Sequence, residues 1–336
     1  MLNILYAGSP DISTIPLKLL INNMLINKDF KVVGVLTNPP SAKKRSSTLI
    51  PTPVAALVQE ENEKNGLNIP VFTPEKLDAD IRNKISEVKP DLLICFAYGK
   101  LFGPKFMELF SLGGINIHPS LLPKYRGCAP VPAAILNMDC ETGVSIQKIA
   151  QQMDTGNILA QELISLDGTE TADSLLIKSS EIGGTLLLNL IKQIIDNNKV
   201  PEGIPQDEAK SSYSKMLKKE DGCINWNSSA KEIDALIRAF SPWPGSFTCV
   251  NDIQLKILEA HIYTKNLDEN IIANMSEAKK NGTVIGVDKK EGILFQTGNG
   301  ILCVTKLQWQ AKKAVNWNDF INGSRNFIGT CCGIQE

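Results

Sequence analysis

The sequence predicts an α/β fold: a doubly wound, mostly parallel-sheet domain followed by a small antiparallel β-barrel of the oligonucleotide-binding (OB-like) type. Three observations carry this. Residues 1–196 alternate short, almost continuously apolar runs with stretches long enough for crossover helices. Beyond residue 210 the texture changes to short β-type runs punctuated by glycine. The length of 336 residues suits about two domains.

Asn3-Ile-Leu-Tyr-Ala7, Lys31-Val-Val-Gly-Val-Leu-Thr37, Asp91-Leu-Leu-Ile-Cys-Phe-Ala97 and Gly114-Ile-Asn-Ile-His118 read as strands. Their unbroken apolarity suits burial on both faces of a parallel sheet. Residues 15–25, 54–65 and 76–88 lie between them as crossover helices. Residues 144–149 and 158–166 close the domain. A helix over 172–196 then carries Ile182, Leu186, Leu190 and Ile194 on one face of a 3.6-residue period. The first domain is expected to span 1–196. Residues 197–210, rich in turn formers such as Val200-Pro-Glu-Gly-Ile-Pro205, are expected to be a linker. A second domain is expected over 211–330. Its helix at 229–240 stops at Ser241-Pro-Trp-Pro-Gly245, because proline cannot continue a helix. Residues 246–250, 253–262, 283–287, 292–297 and 301–309 are its strands, spaced by Gly282, Gly292, Gly298 and Gly300.

Composition narrows the function classes. Hydrophobic residues make up 43% and charged residues 21%, an ordinary globular balance that excludes disordered and fibrous chains. Lys plus Arg, 35, nearly cancels Asp plus Glu, 36, so a wholly basic nucleic-acid coat is excluded. Residues 209–336 hold 16 basic and 13 acidic side chains, a balance of +3 that is compatible with RNA contact without requiring it. The N-terminus Met1-Leu-Asn-Ile-Leu-Tyr-Ala-Gly8 has no basic leader pattern. The longest apolar run, 186–195, is broken by Asn189, Lys192 and Gln193 and falls short of the roughly 18 residues of a membrane span. A cytoplasmic protein with no membrane partner is expected. The eight cysteines show no Cys-x-x-Cys spacing and only two histidines exist, so no metal site is expected and the thiols should be reduced.

The first βα turn, Ala7-Gly8-Ser9-Pro10-Asp11, is not the Gly-x-Gly-x-x-Gly of dinucleotide binders, and no phosphate-binding P-loop pattern occurs. The informative segment is Gly114-Ile-Asn-Ile-His-Pro-Ser-Leu-Leu-Pro-Lys-Tyr-Arg-Gly127. Asn116 and His118, two residues apart at the end of a strand, point to one side of the sheet. The carboxyl ends of parallel strands are where such sheets bind ligands. An amide donor beside an imidazole suits stabilisation of a developing oxyanion and movement of a proton. Downstream, Gln152-Met-Asp-Thr-Gly156 places Asp154 in a tight turn. That is either a plain turn signal or, if the fold brings it to His118, a carboxylate that orients the ring.

Asn116-Ile-His118-Pro-Ser-Leu-Leu-Pro-Lys-Tyr-Arg-Gly127 followed by Met153-Asp154-Thr-Gly156 resembles the 10-formyltetrahydrofolate-dependent formyltransferases. The resemblance extends through Ala7-Gly8-Ser-Pro-Asp11 and Phe96-Ala-Tyr-Gly99, then Ile224-Asn-Trp226, Ile237-Arg-Ala-Phe240 and Pro242-Trp-Pro-Gly245, covering nearly the whole chain. It implies that Asn116, His118 and Asp154 are the catalytic trio and that Ser120, Leu121, Leu122 and Pro123 form the folate-contacting loop. The donor implied is 10-formyltetrahydrofolate, without a metal. The acceptor implied is the α-amine of methionine on initiator tRNA. Two domains facing one tRNA can work as a monomer, which is the state expected. A basic loop between the second strand and its helix is implied to touch the tRNA, with Lys43, Lys44 and Arg45 as candidates by charge and location. The chain lacks the family's common Arg-Pro-x-Gly-Arg-Gly pattern there. Lys210, Lys215, Lys218, Lys219, Lys312 and Lys313 either follow a phosphate backbone or are ordinary surface residues. Trp226, Trp243, Trp309 and Trp317 are expected as core or interface anchors, and His261 as structural. The alternatives are a formyltransferase acting on a small amine, such as glycinamide ribonucleotide or an amino sugar, and a non-catalytic RNA- or folate-binding protein. The ribonucleotide enzymes resemble only the first domain, so the second domain separates them.

Overall fold

The computed structural model describes residues 1–42, 48–277, 280–324 and 326–333. The chain divides into two compact units, Met1–Pro130 with Glu141–Ser165 and Leu176–Ser214, and Val131–Cys140 with Leu166–Leu175 and Lys215–Glu336.

The first unit is built on β1 (Leu2–Ala7), β2 (Phe30–Leu36), β3 (Val71–Phe72), β4 (Leu92–Cys95), β5 (Gly114–His118), β6 (Glu141–Lys148) and β7 (Ile158–Ser165). Helices α1 (Asp11–Asn27), α2 (Pro53–Asn65) and α3 (Ala79–Glu87) fall between the first four strands. The sheet order is β7-β6-β5-β4-β1-β2-β3. The five strands β1–β5 are parallel. Strand β6 runs antiparallel to β5, and β7 antiparallel to β6. Chain order therefore reverses across the β1–β4 boundary, the switch point at which doubly wound sheets open a crevice at their carboxyl ends. Gly8 lies at this boundary. A Cβ there would stand 2.8 Å from the Phe96 carbonyl oxygen, so only glycine lets the turn after β1 pass so close to the exit of β4.

Helix α4 (Ala172–Asn197) also depends on a missing side chain. A Cβ on Gly183 would lie 2.7 Å from Cγ2 of Ile117, so glycine allows α4 to approach β5 closely. The stretch after α4 is not a free linker. Ile204 exchanges two 2.8 Å backbone bonds with Ile158, and Tyr213–Ser214 pairs in parallel with Arg126–Gly127. Gly203 turns this backbone with φ 73°, a 3-10 helix follows at Glu208–Lys210, and the stretch belongs to the first unit as far as Ser214.

The second unit comprises α5 (Ala230–Ala239), β8 (Ser246–Val250), β9 (Ile253–Ile262), α6 (Glu269–Glu277), β10 (Val284–Asp288), β11 (Gly292–Gln296), β12 (Ile301–Trp309) and α7 (Trp317–Gly323). Helix α6 was not anticipated from sequence. A reciprocal capping box starts α5: the Ser229 hydroxyl accepts from the Glu232 amide, and the Glu232 carboxylate accepts from the Ser229 amide. The strands form an antiparallel sheet ordered β8-β9-β12-β11-β10, with Val315–Asn316 added on β12. Its core joins Ile233, Ile237, Leu255, Phe295, Leu302 and Leu307.

Among the described residues the edge strands β8 and β10 are not paired with each other, so the expected barrel does not close strand to strand. The segment 329–333 spans the gap. Gly329 N donates to Val284 O, Val284 N to Thr330 O and Cys332 N to Gly282 O on the β10 side, and Gly333 N donates to Cys249 O on β8. Among the described residues no helix is long and apolar enough to cross a membrane, and no group of three or more His, Cys, Asp or Glu is placed to hold a metal ion.

Candidate active site

Strands β5 and β6 divide their side chains cleanly between two faces. Ile115, Ile117, Val144 and Ile146 are buried and apolar, and a Cβ on Gly183 of α4 would touch Ile117 and Val144. The intervening residues Asn116, His118, Ser145 and Gln147 are polar, and the register pairs Asn116 with Gln147 and His118 with Ser145. Period-2 alternation therefore gives one apolar face to the helix and one polar face to the site, at the carboxyl end of β5.

On that face the structure brings the predicted trio together. His118 Nδ1 lies 3.6 Å from Asp154 Oδ1, both groups being nearly buried. His118 Nε2 donates to the Tyr125 carbonyl at 2.9 Å. Asp154 adopts φ 57°, and its carboxylate accepts from the Gly127 amide and from Gln147 Nε2, each at 2.8 Å. Asn116 is half-buried, and its side-chain amide has no hydrogen-bond partner among the described residues. Gly156 closes the Asp154 turn against β6; a Cβ there would stand 1.8 Å from the Lys148 carbonyl oxygen.

The loop Ser120–Pro123 is fastened from β6 and β7. Ser145 Oγ donates to Ser120 O at 2.6 Å and accepts from Leu122 N at 3.0 Å, while Gln161 Nε2 donates to Leu122 O at 2.9 Å. Ser120 and Leu122 are buried, and the Ser120 hydroxyl is spent on Lys124 O. Leu121 and Pro123 are partly exposed, so they are the loop side chains open to a ligand.

Sequence reasoning missed the side chains around Asp154. Arg126 is fully buried, with Nε donating to Gln206 Oε1 at 3.0 Å and its terminal nitrogens to both Glu208 oxygens at 2.9 and 2.7 Å and to Tyr213 Oη at 3.0 Å. Hydrogen bonding from Arg126 holds the Glu208 carboxyl below its usual range. Ser145 and Gln147 carried a signal, polar residues at alternate positions of an otherwise apolar strand. Gln206 carried none.

Of the other expected contacts, Lys43, Lys44 and Arg45 lie outside the described residues. Lys210, Lys215, Lys218, Lys219, Lys312 and Lys313 are exposed. Trp226 stacks on Phe295 and Trp309 on Phe320, as core anchors do, and Trp317 packs on the same core. Trp243, between Pro242 and Pro244, is 60% exposed and is therefore no core anchor. His261 Nε2 is 3.2 Å from Glu291 in the second unit.

Comparison with known proteins fits this geometry. Residues 13–191 match the formyl transferase family, and residues 216–325 match the formyl transferase C-terminal domain family. The methionyl-tRNA formyltransferase of Treponema denticola is 48% identical over 329 residues, 97% of this chain and 98% of that protein. That of Treponema pallidum (strain Nichols) is 39% identical over 326 residues, 96% of this chain and 97% of that protein. An N-formyltransferase from Helicobacter canadensis, solved in complex with folinic acid and dTDP-3-aminofucose, shares the fold. It matches at TM-score 0.61 and 21% identity, over 90% of this chain and 99% of that one. With both domains matched in order and relatives of this identity extending over nearly the full chain, the protein is a formyltransferase and belongs to the methionyl-tRNA formyltransferase family.

Proposed function

We propose that this enzyme transfers the formyl group of 10-formyltetrahydrofolate to the α-amine of methionine carried on initiator tRNA, acting as a monomer. The observation that carries the reading is the grouping on one sheet face of an unpartnered amide, Asn116, and a histidine, His118, flanked by a carboxylate, Asp154. The residues fit such a donor: Asn116 keeps its N–H free for a ligand oxygen, and Leu121 and Pro123 offer apolar surface on a fastened loop.

Each residue has one task as the amine adds to the formyl carbon. Asn116 donates an N–H to the formyl oxygen as it gains charge. His118, anchored through Nε2, carries the proton at Nδ1 from the incoming amine toward the departing folate nitrogen. Asp154 holds the ring edge at which that transfer occurs and stabilises it while charged. The new carbon–nitrogen bond replaces the one to the folate nitrogen, and the proton lost by the amine ends on that nitrogen. Lys43, Lys44 and Arg45 are proposed to meet the tRNA backbone.

The test is transfer of radiolabelled formyl from 10-formyltetrahydrofolate, offered in parallel to Met-charged initiator tRNA, uncharged tRNA and glycinamide ribonucleotide. Label on the charged tRNA alone is expected. Label on the ribonucleotide would replace the proposed acceptor with a small amine. Folate binding without any transfer would remove the catalytic roles.

A further inference from the structure

Two side-chain amides and one guanidinium form a directed chain behind Asp154. Gln206 Nε2 donates to the carbonyl oxygens of Asp154 and Gly156, at 2.8 and 2.7 Å, and lies 3.2 Å from Gln147 Oε1. Gln147 Nε2 in turn donates to Asp154 Oδ1. The orientation of each amide follows from its neighbour. Arg126 is only a donor, so Gln206 must turn Oε1 toward it and its NH2 toward the turn. Gln147 then turns its own oxygen to Gln206 and its NH2 to the carboxylate. Asp154 is a non-glycine residue in the left-handed region, a conformation that persists where the surroundings over-determine it. Gln206 supplies that constraint, since it takes up the carbonyls on both sides of Thr155 at once.

We propose that Gln206 is a positioning residue for formyl transfer: it fixes the Asp154 turn and, through Gln147, aims the carboxylate at His118. The proposal rests on the catalytic reading of Asp154 and adds a residue from a segment that sequence reads as a linker. Arg126, clamped by Glu208 and Tyr213, serves to orient Gln206 rather than to meet the reactants. Its full burial keeps it from solvent.

Two variants test this. Gln206→Ala removes both ends of the amide. Gln206→Glu keeps an acceptor for Arg126 but offers the turn no donor. Both are expected to lower kcat by on the order of ten- to a hundredfold, the range for outer partners that orient a reacting group, with KM for folate and tRNA little changed. The chain has only two histidines, so ring resonances give a second readout free of any acceptor. The His118 signal should shift in both variants, while that of His261, in the second unit, stays in place as the internal control. A wild-type kcat in Gln206→Glu, or an unmoved His118 signal in both variants, overturns the proposal, even if thermal stability falls. Should the wild-type enzyme not label charged tRNA, the acceptor reading fails, and the His118 signal alone still decides the role of Gln206.

Discussion

Nε2 of His118 donates to the carbonyl oxygen of Tyr125 at 2.9 Å. A carbonyl can only accept, so this contact places a proton on Nε2 and ties the ring to the far end of its own loop. Proton movement is thereby left to the Nδ1 edge, where Asp154 stands 3.6 Å away. That separation exceeds a hydrogen bond, as catalytic contacts do before substrate tightens them.

Asn116→Ala removes a side-chain amide that has no hydrogen-bond partner among the described residues. Turnover is expected to fall by on the order of 10²–10³-fold, the usual effect of deleting one oxyanion donor, with folding unchanged. His118→Asn loses the proton carrier and should cost at least as much. Single-turnover formyl transfer reads both, and a near-wild-type rate in either variant sinks the corresponding role.

Gly156→Ala acts on Asp154 without touching it. Its Cβ would meet the Lys148 carbonyl at 1.8 Å, and that oxygen belongs to the β6 backbone and cannot swing away. The turn must therefore lift off the strand. A displacement of about 1 Å at a reacting group costs on the order of 10²-fold in rate. If a folded Gly156→Ala enzyme turned over normally, Asp154 would have no part in the reaction.

In the second unit, Trp226 is buried, stacks on Phe295 with ring centroids 5.0 Å apart, and donates Nε1–H to Thr248 Oγ1 at 3.0 Å. Trp226→Ala should destabilise this unit by about 3–5 kcal/mol, read by urea unfolding. Trp226→Phe keeps most of the stacking and forfeits the hydrogen bond, which should limit the loss to roughly 1–3 kcal/mol.

Burial pushes the thiols of Cys95, Cys303 and Cys332 up to about 12. The folded state therefore binds these protons more tightly than the unfolded one, whose thiols titrate near 9. This contribution is complete below pH 9 and is lost as pH rises from 9 toward 12. Stability should thus decline over that alkaline window. Peptide mapping after maleimide treatment at pH 8 should find Cys128, Cys140 and Cys331 labelled, because they are exposed. Labelling of Cys95 in the native protein would contradict the burial.

Four of the five parallel strands were legible because burial on both faces leaves continuous apolar runs, as in Leu92–Cys95, whereas the two-residue β3 is too short to leave one. The site was legible because β5 breaks that rule at alternate positions, Asn116 and His118. Other features left no pattern in the sequence. Gln206 sits outside any helix or strand, where the sequence has no period, and only the fold shows that it reaches the Asp154 turn. Proline and glycine made residues 197–210 read as a linker, but backbone of that composition can be tightly hydrogen-bonded, as Ile204 is to Ile158. Barrel closure was hidden for a similar reason, since a strand pattern does not reveal which non-strand segment fills the gap between two edges.

The segment 329–333 also shields the fold from other chains. Ile224 already covers part of the β8 edge by donating to Phe247 O, but Cys249 O and the β10 edge would otherwise stand open, the kind of template on which β proteins recruit neighbours and aggregate. The segment's bonds to Val284, Gly282 and Cys249 occupy part of both edges, and Cys332 plugs the seam with a buried side chain. A chain cut just before Gly329 would keep every residue of the catalytic face. Its loss would be colloidal: the β10 border and the carbonyl of Cys249 exposed at once, and self-association that increases with protein concentration.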